Sequence, residues 1–443
     1  MPGRALSGIP RPGPEVERVL SFIRDAGGRP MLAGGYVRDA IMRSGGRGSD
    51  VDEADIDVEV HDAASADALG AALARAGKVV ETGTAPGVFR VRAGASDLEI
   101  SLPRGRDFTI NAILADPETG AVIDHHDGLA DLAAGVLRHA AGDFIQDPLL
   151  VVRAVQLAAR FGFRLAPATT VLCRGLADSA GDLPVERVWG EAEKIGTRGS
   201  HITAALAVLA DSGWERCFPQ IAALHEVRQD RRWHPEGNVH VHSGLAGDQA
   251  ARLADMAGLT ETNRLVIVMA ALLHDVGKVT HTQYRGDRIT SYGHAAAGAK
   301  PARAFLRSVG CPEGIIARIV PLVREHMSCT GRPSTPAIRR LLRRLCPATL
   351  FELALVCGAD RAGRGDPDAP NPASAWLAKG SRVSVLERPA KGLLTGRHLI
   401  SAGLAPGPEF KLLLAAALAA QLDGEFDDEA GALRWLAARE EAR

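Results

Sequence analysis

The sequence predicts an α/β head (a mixed sheet with helices) followed by a long, mostly α-helical remainder. Two observations lead there. Short runs with period-2 alternation, DIDVEV (55–60), VFRVRA (88–93) and LEISL (98–102), cluster before residue 125. From about residue 130 the apolar spacing turns helical, in DLAAGVLRHA (131–140), DPLLVVRAVQLAARFGF (147–163) and VERVWGEAEKI (185–195), and no convincing strand follows. Within the head, RPMLAGG (29–35) reads as a strand ending in a Gly-Gly turn, and VRDAIMR (37–43) as the helix after it. Residues 1–13 are Pro/Gly-rich and read as a disordered lead. The polar stretch at 229–238 and the Pro/Gly/Asp-rich stretch at 361–374 read as boundaries.

Composition narrows the function. The 443 residues carry 52 basic and 53 acidic side chains, a net charge of -1, so a nucleic-acid site must be a local patch. Aromatics at 4% disfavour rows of base-stacking rings. The six cysteines form no C-x-x-C pair, which argues against a zinc ribbon and a disulfide scaffold. The N-terminus lacks the apolar core of a signal peptide and no apolar run reaches membrane-spanning length, so a cytoplasmic location is expected. The basic run RRLLRRL (339–345) reads first as a solvated helix face.

Asp55 and Asp57 stand two apart on an alternating run, which puts both carboxylates on one strand face and Ile56 and Val58 on the other. Alone, such a pair is most simply a solvated strand edge. Its neighbours change the reading. Gly34-Gly35 turns a strand into a helix, allowing close backbone approach and presenting free N–H groups to a phosphate, and Arg38 one turn in can neutralise a triphosphate. Glu99, on another strand-like run, supplies a third acid. Three carboxylates on neighbouring strands suit a pair of Mg²⁺ ions in nucleotidyl transfer.

GGYVRD (34–39), DIDVEV, RDFTINAI (106–113), IDHHDGLADLAAGVLRH (123–139), DPLLVVRAVQLAARFGF and VERVWGEAEK together resemble the class II tRNA nucleotidyltransferase (CCA-adding) / bacterial poly(A) polymerase family. The resemblance implies a nucleotidyltransferase head at 14–136, a helical RNA-binding neck at 137–230 and a helical tail at 373–443. It implies template-independent transfer from an NTP (CTP or ATP) to an RNA 3′ end, tRNA first among the candidates. It assigns Asp55, Asp57 and Glu99 to catalysis, with Asp97 as a rival to Glu99. Gly34, Gly35 and Arg38 match the triphosphate turn. Arg106 and Asp107, followed by Asn111, match the sugar-selecting R-R-D motif. Asp147 and Arg153 match the nucleotide-reading helix.

Three departures stand out. The family's E-D-x-x-R motif is Gln146-Asp147-Pro148-Leu149-Leu150 here, so an Arg that bonds the incoming base becomes Leu150, which is expected to share a helix face with Asp147. Losing such a charge-assisted bond costs ~1.5–3 kcal/mol of binding or selectivity. Gly105 replaces the first Arg of R-R-D. The family's long loop between the third acid and R-R-D is missing. These motivate one rival, a family member with a repurposed acceptor or altered nucleotide choice; a second rival, of a different class, is an RNA- or nucleotide-binding protein whose only chemistry lies further along the chain.

That further chemistry is His274-Asp275, after the apolar run LVIVMAALL. It resembles the HD metal-dependent phosphohydrolase superfamily, implying a helical HD domain over 231–372. The resemblance implies His242, His274, Asp275 and Asp360 as ligands of a divalent metal of unspecified identity, with His240 as a rival to His242. His294 and His326 are candidates for a second metal or phosphate. The implied reaction is hydrolysis of phosphomonoesters or 2′,3′-cyclic phosphates. In the tail, LTGRHLI (394–400) reads as a turn-and-cap element.

Overall fold

The computed structural model describes residues 4–5, 9, 11–46, 55–81, 87–140, 145, 147–286, 288–382 and 391–441. The chain forms two compact units, Met1–Leu183 with Asp211–Trp214, and Pro184–Ala210 with Glu215–Arg443.

The first unit is built on an eight-stranded sheet. Its strands are β1 (Arg4–Ala5), β2 (Arg29–Ala33), β3 (Asp55–His61), β4 (Val79–Glu81), β5 (Val88–Ala93), β6 (Ser96–Ser101), β7 (Leu114–Ala115) and β8 (Ala121–Ile123). They lie in the order β1-β8-β7-β2-β3-β6-β5-β4, and only β3 and β6 run parallel. Alternation sorts the side chains by face. Ile56, Val58, Val60, Leu98 and Ile100 are buried, each contributing about 1.5–3 kcal/mol from lost water contact. The helices Pro14–Asp25 and Ala66–Leu73 pack on that side: Gly28 lies between Ile23 and Val60, and Gly70 lies against Phe89. The odd-numbered residues of β3 and β6 point to the other face and form an acidic strip.

Two expectations are corrected here. Arg4–Ala5, inside the stretch read as a disordered lead, pairs with β8 in the register Arg4↔Val122 and Ala5↔Ala121. Residues 1–3, 6–8 and 10 of that stretch lie outside the described residues. Strands also occur beyond residue 130. Val136–Leu137 pairs in parallel with Arg164–Leu165, and Gln283–Arg285 pairs antiparallel with Arg288–Thr290. Ladders of two or three residues carry too little alternation to be read from a sequence.

The second unit is helical. Helices Val239–Met256, Glu261–Leu273, His294–Ser308, Glu313–Glu325 and Leu350–Ala362 surround a common core. Every residue from Arg264 to Leu273 is buried, as expected of a central helix apolar on all sides. Side-chain caps set several starts: Asn238 accepts from Val241 N at 3.0 Å, and Thr349 and Glu352 form a reciprocal capping box. The basic run lies on helix Thr335–Leu345, whose Ile338, Leu341, Leu342 and Leu345 face inward while Arg340 and Arg344 pair with Asp423 and Glu325. The tail helices Gly396–Ser401, Pro408–Asp423 and Glu429–Glu441 close on Leu399, Leu413, Phe426 and Leu436. There His398 caps its own helix, its Nδ1 accepting from Thr395 N at 3.1 Å. Among the described residues, no helix is long and apolar enough to cross a membrane.

Candidate functional site

In the first unit, parallel pairing sets Asp55 opposite Asp97 and Asp57 opposite Glu99. Partners in a parallel pair project to the same face, so four carboxylates share one strip. Burial pushes the Asp57 carboxyl above its usual value; Arg106 pulls it down, and Glu99 and Asp55 push it further up. Glu99 leans on Arg104 (2.6 Å) and Arg90 (3.5 Å), and Asp97 on Arg92 (2.6 Å). Asp97, further along the strip, is more exposed than Glu99, at 59% against 24%.

Gly34 follows β2 and opens the next helix beside this strip. Its φ is +64°, and a Cβ there would lie 1.8 Å from Asp57 Oδ2. The carboxylate therefore occupies the space a side chain would need, and only glycine fits. Gly35 lies in the first turn of helix Gly34–Ser44. Arg38 turns inward. Its Nε donates to Asp39 Oδ1 (2.8 Å), its Nη1 donates to Asn111 Oδ1 (2.6 Å), and the guanidinium stacks on Phe161. Arg38 is 4% exposed and ties the helix start to the 109–111 turn, with its Nη2 3.4 Å from where a Cβ of Gly35 would lie.

Arg106 donates to Glu59 Oε2 (3.1 Å) and lies 3.9 Å from Asp57 Oδ2. Asp107 accepts from Phe108 N, from Asn111 Nδ2 (2.9 Å) and from Arg153 Nε (2.7 Å), so Arg153 and the R-D segment form one cluster. The motif at 123–139 braces that cluster. Asp124 caps the helix Gly128–Ala134, Gly128 leaves no room for a Cβ against Thr109 O, and Asp131 joins Thr109 to Arg138. Helix Leu149–Phe161 starts two residues after Asp147, which caps it by accepting from Leu149 N at 3.2 Å. Asp147 and Leu150 are therefore not partners on one helix face, because Pro148 holds the start of the helix. Gln146 lies outside the described residues. Glu59, buried between Arg106 and His61, was given no role from the sequence. Its position on the Asp55–Asp57 face was the available signal.

In the second unit, helix ends converge. His274 and His326 follow the last residues of Glu261–Leu273 and Glu313–Glu325, and His294 opens its helix. Each of these three sets its Nδ1 against the carbonyl three residues before it: Ala271 (2.6 Å), Val323 (2.8 Å) and Ser291 (2.6 Å). A carbonyl only accepts, so Nδ1 carries the proton and the Nε2 lone pair points inward. His242 Nδ1 lies 2.7 Å from Glu236 Oε1 as an ion-pair contact, while the same oxygen is hydrogen-bonded to His234 Nδ1 at 2.9 Å. The inward Nε2 atoms meet in pairs, His242 with His274 at 3.2 Å and His294 with His326 at 3.1 Å. Two lone pairs cannot bond each other; a cation relieves both.

The carboxylates complete two groups. Asp360 Oδ1 lies 3.1 Å from His242 Nε2 and 3.7 Å from His274 Nε2. Asp275 straddles the pairs, with Oδ2 3.3 Å from His274 Nε2 and Oδ1 3.0 Å from His294 Nε2. His242, His274 and Asp360 converge closely enough to hold one ion, and so do His274, Asp275 and His326. Burial disfavours charge on His274, but Asp275 and Asp360 outweigh it and raise its pKa to about 10. Burial, then the charge on His274, push His326 down to about 3. Lys278 Nζ (2.6 Å from Asp275) and Arg364 (2.9 Å from Asp360) add fixed positive charge. His240 lies elsewhere, its Nε2 2.9 Å from Glu215 and its ring stacked on His225. Glu236, Lys278 and Arg364 were not singled out from the sequence; Lys278 at i+3 from Asp275 and Arg364 at i+4 from Asp360 were the legible hints.

Comparison with known proteins bears on both units. Residues 239–360 match the HD domain and 102–138 the poly A polymerase head domain. A multifunctional CCA protein of Xanthomonas campestris pv. campestris is 34% identical over 325 residues, 70% of this chain and 75% of that one. The chain belongs to the multifunctional CCA protein family. A second member, from Nitrosococcus oceani, is 34% identical over 343 residues, 73% of this chain and 78% of its own. The fold agrees with this membership. The crystal structure of the Bacillus stearothermophilus CCA-adding enzyme in complex with CTP superimposes with a TM-score of 0.63 at 20% identity, covering 97% of this chain and 99% of that one. The Thermotoga maritima CCA-adding enzyme complexed with tRNA gives 0.55 at 20% identity, covering 99% of each. As a family member, the chain pairs a nucleotidyltransferase head with an HD domain, and both imply divalent metal use.

Proposed function

We propose that this chain adds CMP and AMP from CTP and ATP to the 3′ end of tRNA without a nucleic-acid template, and that its HD unit hydrolyses phosphate esters. The single observation that carries the first part is the register of β3 and β6 beside Gly34, which sets Asp55, Asp57 and Glu99 on one face. Relatives named multifunctional CCA proteins, and solved CCA-adding enzymes bound to CTP and tRNA, support the substrates. In this reading Asp55, Asp57 and Glu99 hold Mg²⁺. Bound there, the metal lowers the pKa of the attacking 3′-hydroxyl and neutralises the triphosphate as pyrophosphate leaves. Gly34 and Gly35 let the triphosphate approach the backbone. Arg106, Asp107 and Asn111 orient the sugar, and Asp147 and Arg153 border the base. In the HD unit, His242, His274, Asp275 and Asp360 hold one divalent ion, and Asp275, His294 and His326 a second. The head at 14–136, neck at 137–230, HD domain at 231–372 and tail at 373–443 remain our functional division of the chain.

The test incubates the full-length protein with Mg²⁺, tRNA lacking its CCA end and each labelled NTP in turn. Extension with CTP, and with ATP once two C residues are present, is expected. No extension with any nucleotide would remove the RNA-terminal reading. The same lanes report nucleotide choice at a site where Leu150 and Gly105 replace arginines.

A further inference from the structure

We propose that Glu59 is a positioning residue of the nucleotidyl-transfer site: its carboxylate draws the Arg106 guanidinium away from Asp57 and so keeps Asp57 open to the metal. This rests on the reading of Asp55, Asp57 and Glu99 as metal ligands and adds an acid of the same strand with a different task.

Three observations carry it. Glu59 continues the alternation of β3, two residues past Asp57 on the same face, and is 6% exposed. A carboxylate so deeply placed needs a cation beside it. Arg106 supplies one: its Nη2 and Nε donate to Glu59 Oε2 at 3.1 and 3.3 Å, while His61 Nε2 lies 2.9 Å from the other oxygen. The same guanidinium reaches toward Asp57 but stops short. Its Nη1 lies 3.9 Å from Asp57 Oδ2, about 1 Å beyond a charge-assisted hydrogen bond. The backbone beside Arg106 is also fixed, because Asp107 accepts from Phe108 N, Asn111 Nδ2 and Arg153 Nε. A redirected Arg106 would therefore move by side-chain rotation, over a short path.

A guanidinium and a divalent ion compete for one set of lone pairs. The N–H groups of arginine take the carboxylate oxygens that a hard cation needs as ligands. Two acids on one strand face settle that competition. The buried Glu59 binds the guanidinium, and Asp57, 33% exposed, keeps its oxygens for the ion. Without the charge on Glu59, Asp57 is the next acid within reach of Arg106, and closing the gap places a fixed cation where the mobile one must bind.

The test uses full-length protein carrying Asp275→Asn, which weakens the HD cluster, and Mn²⁺ alone as the probe in calorimetric titration. The part of the binding lost on adding Asp57→Asn belongs to the head. Glu59→Gln should weaken that part by about tenfold or more, and Glu59→Asp, which restores the charge, should recover most of the loss. In an Arg106→Gln background, Glu59→Gln should change the affinity by less than about threefold, since no guanidinium is left to redirect. Transfer to tRNA gives a second readout. Glu59→Gln should raise the Mg²⁺ concentration for half-maximal rate by about tenfold, while the rate at saturating Mg²⁺ stays within about threefold of the parent. A merely structural role would lower the rate at every Mg²⁺ concentration and leave Mn²⁺ affinity unchanged, and that result would overturn the proposal. So would an equal loss of Mn²⁺ affinity in the Arg106→Gln background, which would make Glu59 act on the ion directly. Absence of any Asp57-dependent Mn²⁺ binding in the parent would remove the metal-ligand reading itself, and this proposal with it.

Discussion

The two metal-binding candidates solve one electrostatic problem in opposite ways. The head gathers carboxylates on adjacent strands, where register alone aligns them, and leaves them partly open, with Asp57 33% exposed. Four arginines, Arg90, Arg92, Arg104 and Arg106, offset the mutual repulsion from the side. The HD cluster is assembled from helix ends 118 residues apart in sequence, and its His242 and His274 are almost fully buried. Its repulsion is between lone pairs, and the second nitrogen of each imidazole is fixed by a carbonyl or by Glu236. The strand site takes its geometry from backbone pairing, whereas the helical site takes it from side-chain tethers. An open site built on register suits a large polyanion with its own metal ions, and a deeply buried, tethered site suits resident metals.

The largest expected effect tests whether the sites are separate. Asp57→Asn should lower nucleotidyl transfer by about a thousandfold or more and leave metal-dependent phosphate release intact. Asp275→Asn should do the reverse. The comparison breaks if either substitution abolishes both reactions while the protein stays folded by circular dichroism. Next comes the backbone that shapes the head site. Gly34→Ala forces a Cβ to 1.8 Å from Asp57 Oδ2 at a φ of +64°, so the carboxylate must move. Transfer should fall by about a hundredfold, with a loss of roughly 1–2 kcal/mol in stability by urea unfolding. Gly35→Ala, whose Cβ would meet only Arg38 Nη2 at 3.4 Å, leaves Asp57 in place, so it should keep the parent's stability and lose transfer only through the triphosphate approach, by less than Gly34→Ala. Equal effects of the two would show that the close approach to Asp57 does not matter.

The same contrast explains what was legible in the sequence. Period 2 announced Asp55 and Asp57 on one face, because alternation is a local property of a strand. The pairing that chose Glu99 as the partner of Asp57, with Asp97 opposite Asp55, is non-local, and the sequence left the two as rivals. The partner of Arg38 is non-local in the same way: Asn111, 73 positions away, accepts from its Nη1. In the HD unit the ligand types could be read, yet their tethers could not. Glu236 lies in a stretch that reads as a polar boundary, and only folding brings it to His242. The short strands at 136–137 and 283–290 are held by register with distant or hairpin partners rather than by a pattern of their own.

Tethering makes its own prediction, one the register-built head has no counterpart to. Glu236→Gln keeps an oxygen near His242 Nδ1 but removes the charge that fixes the ring and strengthens Nε2 as a ligand. Metal affinity of the HD site should fall by about tenfold, read by calorimetric titration with Mn²⁺, with nucleotidyl transfer unchanged. An unchanged affinity would mean that helix-end geometry alone orients the ring.

The smallest expected effect separates His242 from His240, two residues away on the same helix. His240 and His225 both bond Glu215, and their rings stack at 3.6 Å. Burial raises the Glu215 carboxyl, but the bonds from His240 and His225 outweigh it and hold the group below its usual range. A depressed carboxylate stabilises the fold above its unfolded pKa, about 4.3, and that contribution is lost as pH falls through the lower folded value. Glu215→Gln should therefore cost about 1 kcal/mol near pH 7, and the gap in melting temperature to the parent should close as pH drops below about 4. A gap that persists unchanged into acid would assign the effect to packing rather than charge. Metal affinity of the HD site should stay the same in this variant, because the imidazole that Glu215 holds faces the scaffold and the one that Glu236 holds faces the ion.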